Sequence, residues 1–267
     1  MRQLSKLGDL SGRIALITGG AGHLGRAMAE AMMQSGCIVI LADRSQDQLD
    51  DACASFSRLN RKRAHCVTCD LESEAARIIL ASRINEEYGR LDILINNAGF
   101  VGDNALQGWV TPFAEQSIET WRRALEVNLT APFHLAQLFA SLLQQSGNGT
   151  IINISSIYGI LGPDMSLYDG TTMGNPAGYA ASKGGLVQLT RWLATTLAPH
   201  VRVNTVSPGG IGRGQPKSFV DQYVERTPLK RMGKEEDFLG VIAFLASDLS
   251  AWVTGQNIVV DGGWSTW

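Results

Sequence analysis

Two tyrosines, Tyr168 and Tyr179, lie eleven positions apart in the stretch SLYDGTTMGNPAGYAASK, and only the second is followed four residues later by a lysine. Positions i and i+4 share a helix face, so Lys183 is expected beside Tyr179, whereas Thr172 occupies the matching position after Tyr168. A free phenol has a pKa of about 10. A nearby ammonium group stabilises the phenolate and lowers that pKa. The spacing therefore predicts that Tyr179 exchanges a proton with an alcohol or a carbonyl.

A glycine-rich turn, TGGAGHLG at residues 18–25, places Gly20, Gly22 and Gly25 in the spacing GxGxxG. The turn follows a predicted strand and precedes a predicted helix, which is the context that a dinucleotide-binding motif requires. Glycines let the backbone approach a pyrophosphate, and the helix N-terminus adds amide donors. We predict a dinucleotide site here, with a tight turn that binds no ligand as the alternative.

Asp43 ends the second predicted strand, eighteen residues after Gly25. A carboxylate there can accept hydrogen bonds from both hydroxyls of an adenosine ribose and would repel a 2′-phosphate, so it favours NAD over NADP. Arg44 keeps NADP open, because an arginine at this place can accommodate that phosphate. The alternative for Asp43 is an ordinary charge at a strand end.

Cys66 and Cys69 form a CxxC pair, which can indicate a redox or metal site. On a strand, positions three apart point to opposite faces and lie about 10 Å apart. That separation is too large for a disulfide, and the sequence has no second CxxC to complete a zinc site. We predict that both cysteines are structural and that the protein holds no metal.

Short apolar runs alternate along the chain with longer helical patterns. Strands are predicted at 13–18, 37–43, 64–70, 91–99, 149–156, 201–210 and 257–263. The main helices are predicted from the glycine turn to about Ser35 and at 73–88, 118–143, 179–198 and 234–249. Continuous apolar strands indicate a sheet buried on both faces. The alternation predicts one α/β domain over 1–267, a Rossmann-type doubly wound parallel sheet with helices on both faces. Ligands of such sheets bind at the carboxyl ends of the strands.

The composition excludes several classes of protein. Of the 267 residues, 45% are hydrophobic and 18% are charged, which is ordinary for a soluble globular domain. A net charge of −2 provides no basic footprint for nucleic acid. No apolar run is long enough to span a membrane. The first residues lack the apolar core of a secretory signal, so we expect a cytoplasmic protein.

Further short motifs follow one another along nearly the whole chain. They are the glycine turn, Asp70 at the end of the third strand, NNAG at 96–99, Asn128, the serine pair at 155–156, YAASK at 179–183, SPGG at 207–210 and VDGG at 260–263. In this combination and order the chain resembles the short-chain dehydrogenase/reductase family. The resemblance implies hydride transfer between a nicotinamide cofactor and a substrate carbon, and assembly as a homotetramer or homodimer.

The resemblance also implies a role for each motif. Tyr179 would be the general acid and base, and Lys183 would lower its pKa and hold the nicotinamide ribose. Ser156 would donate a hydrogen bond to the substrate oxygen, and Asn128 would hold a water in a proton relay to Lys183. The implied cofactor contacts are Gly19, Gly22, His23, Leu24, Gly25, Asp43, Arg44, Asp70, Leu71, Asn97, Ala98, Gly99, Tyr179, Lys183, Pro208, Gly209 and Ile211.

The chain departs from the family pattern in two places. His23 stands where the family turn has its middle glycine, and its imidazole would either donate to a phosphate oxygen or point to solvent. A threonine usual a few residues after the proline–glycine pair is absent, and Gly212 and Arg213 stand there instead. The usual hydroxyl contact to the nicotinamide amide is therefore in doubt.

Three segments should border the substrate mouth, because each leaves the carboxyl end of a strand. They are 100–117, the segment between Ser156 and Tyr179, and 211–219, which is often a mobile lid in the family. Tyr168, Arg213 and Gln215 are the candidate substrate residues. Decoration of surface loops and a solvated charge cluster are the alternatives.

These observations predict an NAD-dependent oxidoreductase that interconverts a secondary alcohol and a ketone. The stretch from the segment before Tyr179 through YAASKGGLVQLTRWLATTLAP is also similar to dehydrogenases of bacterial surface-sugar pathways, including nonulosonic-acid and flagellin-glycan biosynthesis. A sugar or sugar-nucleotide is therefore the leading substrate class. The alternatives are an NADPH-dependent 3-oxoacyl thioester reductase and, in another class, a nucleotide-sensing protein without catalytic activity.

Overall fold

The strands form one parallel sheet, described for residues 3–102 and 106–267 by a computed structural model. Its strands are β1 (Ile14–Thr18), β2 (Ile38–Asp43), β3 (Ala64–Thr68), β4 (Ile93–Asn96), β5 (Gly149–Ile154), β6 (Val201–Pro208) and β7 (Asn257–Val260). Their order across the sheet is β3-β2-β1-β4-β5-β6-β7, and every neighbouring pair is parallel. The predicted doubly wound sheet is thus confirmed.

Helices connect the strands and cover both faces of the sheet. They are α1 (Leu4–Leu7), α2 (His23–Gln34), α3 (Gln46–Ser55), α4 (Arg58–Arg61), α5 (Glu74–Tyr88), α6 (Ile118–Leu125), α7 (Ala131–Gln145), α8 (Ala177–Thr196), α9 (Lys217–Arg226) and α10 (Glu236–Ala246). Serine side chains cap α3, α5 and α6, where they accept hydrogen bonds from backbone amides of the first turn. Among the described residues, no helix combines the length and the apolar character needed to cross a bilayer.

Strand β1 shows why the apolar runs are continuous. All five of its residues are buried. Ala15 and Ile17 face the core layer formed with α2 and α10, while Ile14 and Leu16 face the layer formed with α5 and α7. Because both faces of the strand are covered, no position is left for the polar residues of a half-exposed strand.

The sheet reverses its direction of growth between β1 and β4. Strands β2 and β3 lie on one side of β1, and β4 to β7 lie on the other. At such a switch point the connections leave in opposite directions and open a crevice beyond the carboxyl ends of the strands. The predicted functional residues therefore meet at one edge of the sheet.

The helix predicted at 118–143 is interrupted by a π-helical turn. Helix α6 passes into this turn at Glu126–Thr130 and continues as α7 to Gln145. Asn128, the predicted relay residue, lies in the turn. Single π-helical turns occur frequently at functional sites, but no periodicity in the sequence distinguishes one from regular helix.

Helix α9 was not predicted. Its sequence KSFVDQYVER is largely polar, and the only residues that it buries are Phe219 and Tyr223, four positions apart. A single i, i+4 pair is too faint a pattern to identify a helix from the sequence. The segment 211–219, expected as a lid, thus ends in the first turn of α9, and this helix docks on the body of the protein through two aromatic side chains.

The cysteines of the CxxC pair do not meet. Cys66 lies on β3, and its sulfur contacts the sulfur of Cys53 on α3. Cys69, one residue past the end of β3, is buried and free. The prediction that Cys66 and Cys69 do not pair with each other is confirmed.

Candidate active site

A cleft of about 770 Å³ lies beyond the carboxyl ends of the strands at the switch point. Every residue predicted to contact the cofactor lines it. Of the predicted catalytic residues, Ser156, Tyr179 and Lys183 line the cleft, and Asn128 is buried. Of the predicted substrate residues, Arg213 and Gln215 line it.

The glycine turn leaves room for a ligand because its backbone is tightly folded. Gly19 has a φ of +62°, and a Cβ atom there would lie 2.8 Å from the Cα of Ala98. The N-cap residue of α2 is Gly22, which has no side chain to accept hydrogen bonds from the first amides of the helix. His23 is the first residue of the helix and is exposed at the cleft. This cradle fits a pyrophosphate group.

Gly25 has a steric role that a stability measurement can isolate. A Cβ at Gly25 in α2 would overlap the carbonyl oxygen of Gly19, whereas a Cβ at Gly240 in α10 would meet no atom within 4 Å. Alanine in a helix interior is ordinarily about 1 kcal/mol more favourable than glycine. We expect Gly240→Ala to raise the free energy of unfolding by up to about 1 kcal/mol. Gly25→Ala should lower it by about 1–3 kcal/mol, because the turn must shift.

Urea denaturation of the two variants beside the wild-type protein checks this. An equal gain in stability from both substitutions would show that the turn tolerates a side chain at position 25.

Asn97 braces the glycine turn. Its Nδ2 donates to the carbonyl oxygens of Thr18 at 2.9 Å and Gly19 at 3.1 Å. The Thr18 Oγ1 accepts in return from the backbone amides of Asn97 and Ala98, both at 3.1 Å. The side-chain amide of Asn97 thus holds the ends of β1 and β4 together. Sequence reasoning assigned only the backbone of this motif to the cleft and missed the brace.

The carboxylate of Asp43 is held beside the glycine turn. Its two oxygens accept hydrogen bonds from the backbone amides of Arg44 at 2.8 Å and Ala21 at 3.1 Å. A carboxylate has about four lone-pair sites, so this arrangement leaves acceptor capacity directed into the cleft. Asp43 is partly buried and Arg44 is exposed.

Two residues missed by sequence reasoning close the end of the cleft near Asp70 and Leu71. Arg123 on α6 donates two hydrogen bonds of 2.8 Å to the carboxylate of Glu72, and its guanidinium carbon lies 4.9 Å from the centre of the Phe100 ring. The Arg123 hydrogen bond lowers the pKa of Glu72. The partners are 51 residues apart, and no sequence spacing marks such a pair.

Tyr179 and Lys183 share one face of α8. The Lys183 Nζ lies 5.8 Å from the centre of the Tyr179 ring and donates a 2.8 Å hydrogen bond to the carbonyl of Ile154 at the end of β5. Burial lowers the pKa of Lys183 to about 8. The ammonium is therefore directed to the floor of the cleft by both the helix and the sheet.

The pKa of Tyr179 differs from the value expected from the sequence. The lysine was predicted to lower it, but burial raises it, and this effect outweighs the lowering produced by the Ser156 hydrogen bond. Nearby Tyr168 raises it further. In the protein alone Tyr179 is thus a neutral phenol at pH 7, able to donate a proton. A phenolate needs additional positive charge in the cleft.

The paired serines at the end of β5 have different contacts. Ser155 donates from its Oγ to the carbonyl of Lys183 at 2.9 Å and so ties β5 to α8. Ser156 accepts from the backbone amide of Tyr158 at 3.2 Å, and its hydroxyl lowers the pKa of Tyr179. Only the second serine therefore faces the reactive tyrosine.

Asn128 is completely buried in the π-helical turn. Its Oδ1 accepts from the amide of Phe100 at 2.6 Å, and its Nδ2 donates to the Ser182 Oγ at 3.0 Å and the Phe100 carbonyl at 3.3 Å. The side chain thus anchors the start of segment 100–117 to α8. The water relay through this residue remains a prediction.

The predicted substrate residues have separate surroundings. Gln215 accepts from the amide of Arg213 and donates to the carbonyl of Ile211, both at 2.7 Å, so its amide shapes the loop. Arg213 makes a 3.2 Å ion pair with Glu235 at the cleft. Tyr168 is not among the residues that line the cleft. Its hydroxyl lies 2.7 Å from that of Tyr158, and its ring packs on Phe219.

Segment 100–117 borders the cleft as expected, although 103–105 lie outside the described residues. Trp109 is buried, donates from its Nε1 to the carbonyl of Val101 at 2.6 Å and packs edge-on against Phe100. Phe100, Val101, Gly102 and Leu106 line the cleft. The described part of the segment is therefore a packed wall of the site.

The chain is similar over nearly its whole length to known oxidoreductases. The family model described as Enoyl-(Acyl carrier protein) reductase matches residues 19–265. The 3-oxoacyl-(acyl-carrier-protein) reductase FabG of Thermotoga maritima is 34% identical over 261 residues, which cover 95% of this chain and 98% of that protein. Post-translational flagellin modification protein A of Campylobacter coli is 31% identical over 257 residues, 96% of this chain and 99% of that one.

The solved structures agree. A short-chain dehydrogenase from Leptospira borgpetersenii with bound NAD⁺ superposes with a TM-score of 0.85 at 32% identity, over 99% of this chain and 96% of that chain. Other solved structures of the same fold hold NADP.

Proposed function

Because the chain belongs to the short-chain dehydrogenase/reductase family, we propose that it interconverts a secondary alcohol and a ketone on a sugar or sugar-nucleotide, with NAD as its cofactor. The broader activity follows from the family: the chain is an oxidoreductase that acts on CH–OH groups with NAD(P). The alternative of a nucleotide-sensing protein without catalytic activity is therefore set aside.

One observation carries the proposed mechanism: Tyr179, Lys183 and Ser156 line the same cleft, and the Ser156 hydroxyl lowers the pKa of Tyr179. We assign Tyr179 as the group that gives a proton to the substrate oxygen or takes it away. Ser156 donates a hydrogen bond to the same oxygen and orients it. Lys183 holds positive charge beneath the tyrosine and favours the phenolate when Tyr179 has lost its proton.

The rest of the cleft suits a nicotinamide dinucleotide, whose nicotinamide ring supplies the hydride or accepts it. The glycine turn and the first amides of α2 would hold the pyrophosphate. Asp70 and Leu71 would flank the adenine. Pro208, Gly209 and Ile211, after β6, would lie against the nicotinamide.

The preference for NAD rests on Asp43. Its carboxylate occupies the place where the ribose hydroxyls of an adenosine would bind, and a 2′-phosphate there would meet a like charge. Arg44 is the one feature that opposes this assignment. Arg44 is exposed, whereas Asp43 is partly buried. We therefore propose that the repulsion of a 2′-phosphate by Asp43 is stronger than its attraction by Arg44.

The substrate class is supported by the polar mouth of the cleft and by one relative. Arg213 offers a guanidinium at the mouth, next to Glu235. Flagellin modification protein A, by its name, acts in the modification of flagellin. The rival activity, reduction of a 3-oxoacyl thioester, is supported by the similarity to FabG. It would require NADPH at a site that carries Asp43.

We propose a homotetramer or homodimer in the cytoplasm. The assembly is supported by large apolar side chains exposed on the outer helices, Phe133 on α7 at 41% and Trp192 on α8 at 54%. The last residue, Trp267, is 80% exposed. Large apolar side chains such as these would leave water if copies of the chain packed against α7 and α8.

Absorbance at the reduced-nicotinamide band tests the proposed function. NAD⁺ and NADP⁺ are offered with sugars, sugar phosphates and sugar-nucleotides, and acetoacetyl thioester is offered with NADH and NADPH. We expect the signal to grow with NAD⁺ and one class of sugar. Consumption of NADPH with the thioester alone would overturn both the substrate class and the cofactor preference, and would leave the role of Tyr179 standing.

A further inference from the structure

Helix α9 contacts the loop after β6 through the hydroxyl group of Tyr223. Tyr223 on α9 accepts a 2.6 Å hydrogen bond at its hydroxyl from the backbone amide of Gly210. Gly210 lies between Gly209 and Ile211, two of the residues that line the nicotinamide end of the cleft in the proposed function. The contact therefore connects α9 to the part of the cleft that the proposed function assigns to hydride transfer.

The ring of Tyr223 is clamped, so its hydroxyl has a fixed position. It stacks between Phe219, with ring centres 5.8 Å apart, and Trp264, with ring centres 5.6 Å apart. The side chain is only 2% exposed. Stacked aromatic pairs of this kind contribute to stability beyond the area that they bury, and here they hold the phenol against the loop.

The two glycines of SPGG allow this close approach. A Cβ at Gly209 would lie 2.9 Å from the Tyr223 hydroxyl oxygen, and a Cβ at Gly210 would lie 2.8 Å from the Cζ of the same ring. Any side chain at either position would push the tyrosine away. The glycine pair and Tyr223 thus form one fitted contact.

Backbone partners hold the loop on both sides of this contact. The amide of Gly209 donates to the carbonyl of Val260 at 2.9 Å, and the amide of Gly212 donates to the carbonyl of Gly233 at 3.0 Å. Between them, the amide of Gly210 donates to a side chain from α9, while its carbonyl accepts from the amide of Gly233 at 2.9 Å. The threonine hydroxyl expected near Gly212 from the family pattern is absent from this chain, and Tyr223 brings a different hydroxyl to the same loop.

We propose that Tyr223 is a positioning residue for the nicotinamide half of the cofactor. It holds the loop Pro208–Ile211 in its binding shape through Gly210 and makes that shape depend on the seating of α9. The inference rests on the proposed function, which assigns this end of the cleft to the nicotinamide. It predicts that loss of the hydroxyl affects the nicotinamide end and spares the adenosine end.

Two matched variants test this proposal. Each lacks one hydroxyl of the cluster that contains Tyr158, Tyr168, Phe219, Tyr223 and Trp264. Tyr223→Phe keeps the stacked ring and removes the acceptor for Gly210. Tyr158→Phe removes a hydroxyl whose hydrogen bond, within the described part of the chain, is to Tyr168 at 2.7 Å. Calorimetric titration of each variant and of the wild-type protein with NAD⁺ and with ADP-ribose separates the two ends of the cofactor.

We expect Tyr223→Phe to raise the dissociation constant for NAD⁺ about three- to tenfold, the effect of one lost hydrogen bond. Its dissociation constant for ADP-ribose, which lacks the nicotinamide, should remain that of the wild-type protein. Tyr158→Phe should change neither constant. In steady-state assays, the KM for NAD⁺ should rise in Tyr223→Phe alone.

The inference is overturned if Tyr223→Phe weakens the binding of NAD⁺ and of ADP-ribose equally, or weakens neither. It is also overturned if Tyr158→Phe weakens NAD⁺ binding as much as Tyr223→Phe does. Failure of Tyr223→Phe to bind ADP-ribose would also overturn it, because the hydroxyl would then serve the fold. A wild-type protein that binds NAD⁺ but oxidises no alcohol would contradict the proposed function instead, and the binding comparison would still decide the role of Tyr223.

Discussion

Replacement of Tyr179 by phenylalanine is expected to lower kcat/KM for alcohol oxidation by about a thousandfold and to leave NAD⁺ binding unchanged. General acid–base catalysis by a positioned side chain contributes about 10²–10⁴-fold to a rate. The phenylalanine ring keeps the packing of α8 and the contact with Lys183, so the loss would be confined to proton transfer. Steady-state rates and calorimetric titration with NAD⁺ measure the two effects separately.

The other tyrosine of the same stretch supplies the comparison. The Tyr168 hydroxyl contacts Tyr158, and Tyr168 is not among the residues that line the cleft. Tyr168→Phe should therefore reduce kcat/KM by less than about tenfold, the cost of one hydrogen bond. Full activity of Tyr179→Phe would refute the mechanism. A thousandfold loss of kcat/KM in Tyr168→Phe would instead support the prediction that Tyr168 contacts the substrate.

Replacement of Asp43 by serine is expected to shift the ratio of kcat/KM for NAD⁺ over NADP⁺ by about a hundredfold toward NADP⁺. A like charge placed against the 2′-phosphate costs several kcal/mol, and serine removes that charge. Arg44 remains next to the site and can then pair with the phosphate. Steady-state kinetics with the two cofactors at fixed substrate provide the ratio.

Asp47 offers a control with the same change in net charge. It is an exposed carboxylate in the first turn of α3 and is not among the residues that line the cleft. Asp47→Ser should leave the cofactor ratio within about twofold of the wild-type value, because exposed charges contribute little. The assignment of Asp43 to the ribose fails if both variants shift the ratio equally or if neither does.

Local sequence patterns were sufficient to predict the strands and to predict that Tyr179 and Lys183 lie on the same helix face. The apolar runs of β1, β4 and β5 are fully buried because these strands are covered on both sides, so their composition alone identifies them. Tyr179 and Lys183 share a helix face because the repeat of the α-helix requires it. The glycine turn was identified for the same reason, since its spacing and its neighbours in the chain are local features.

The contacts that complete the site join residues far apart in the chain. Asn97 braces Thr18 across 79 residues, Arg123 pairs with Glu72 across 51, and Tyr223 approaches Gly210 from a helix whose pattern is too polar to recognise. Local sequence spacing places no constraint on such pairs. They exist because parallel strands bring their carboxyl ends to one edge of the sheet.

The chain by itself therefore determined which residues are the candidates for the chemistry, because residue type and short-range spacing decide what a side chain can do. The tertiary structure alone decided the state in which those residues are held. Burial raises the pKa of Tyr179 and lowers the pKa of Lys183. For the tyrosine this is opposite to the direction expected from a neighbouring lysine alone. Desolvation depends on how the surrounding elements pack, and no window of sequence contains that information.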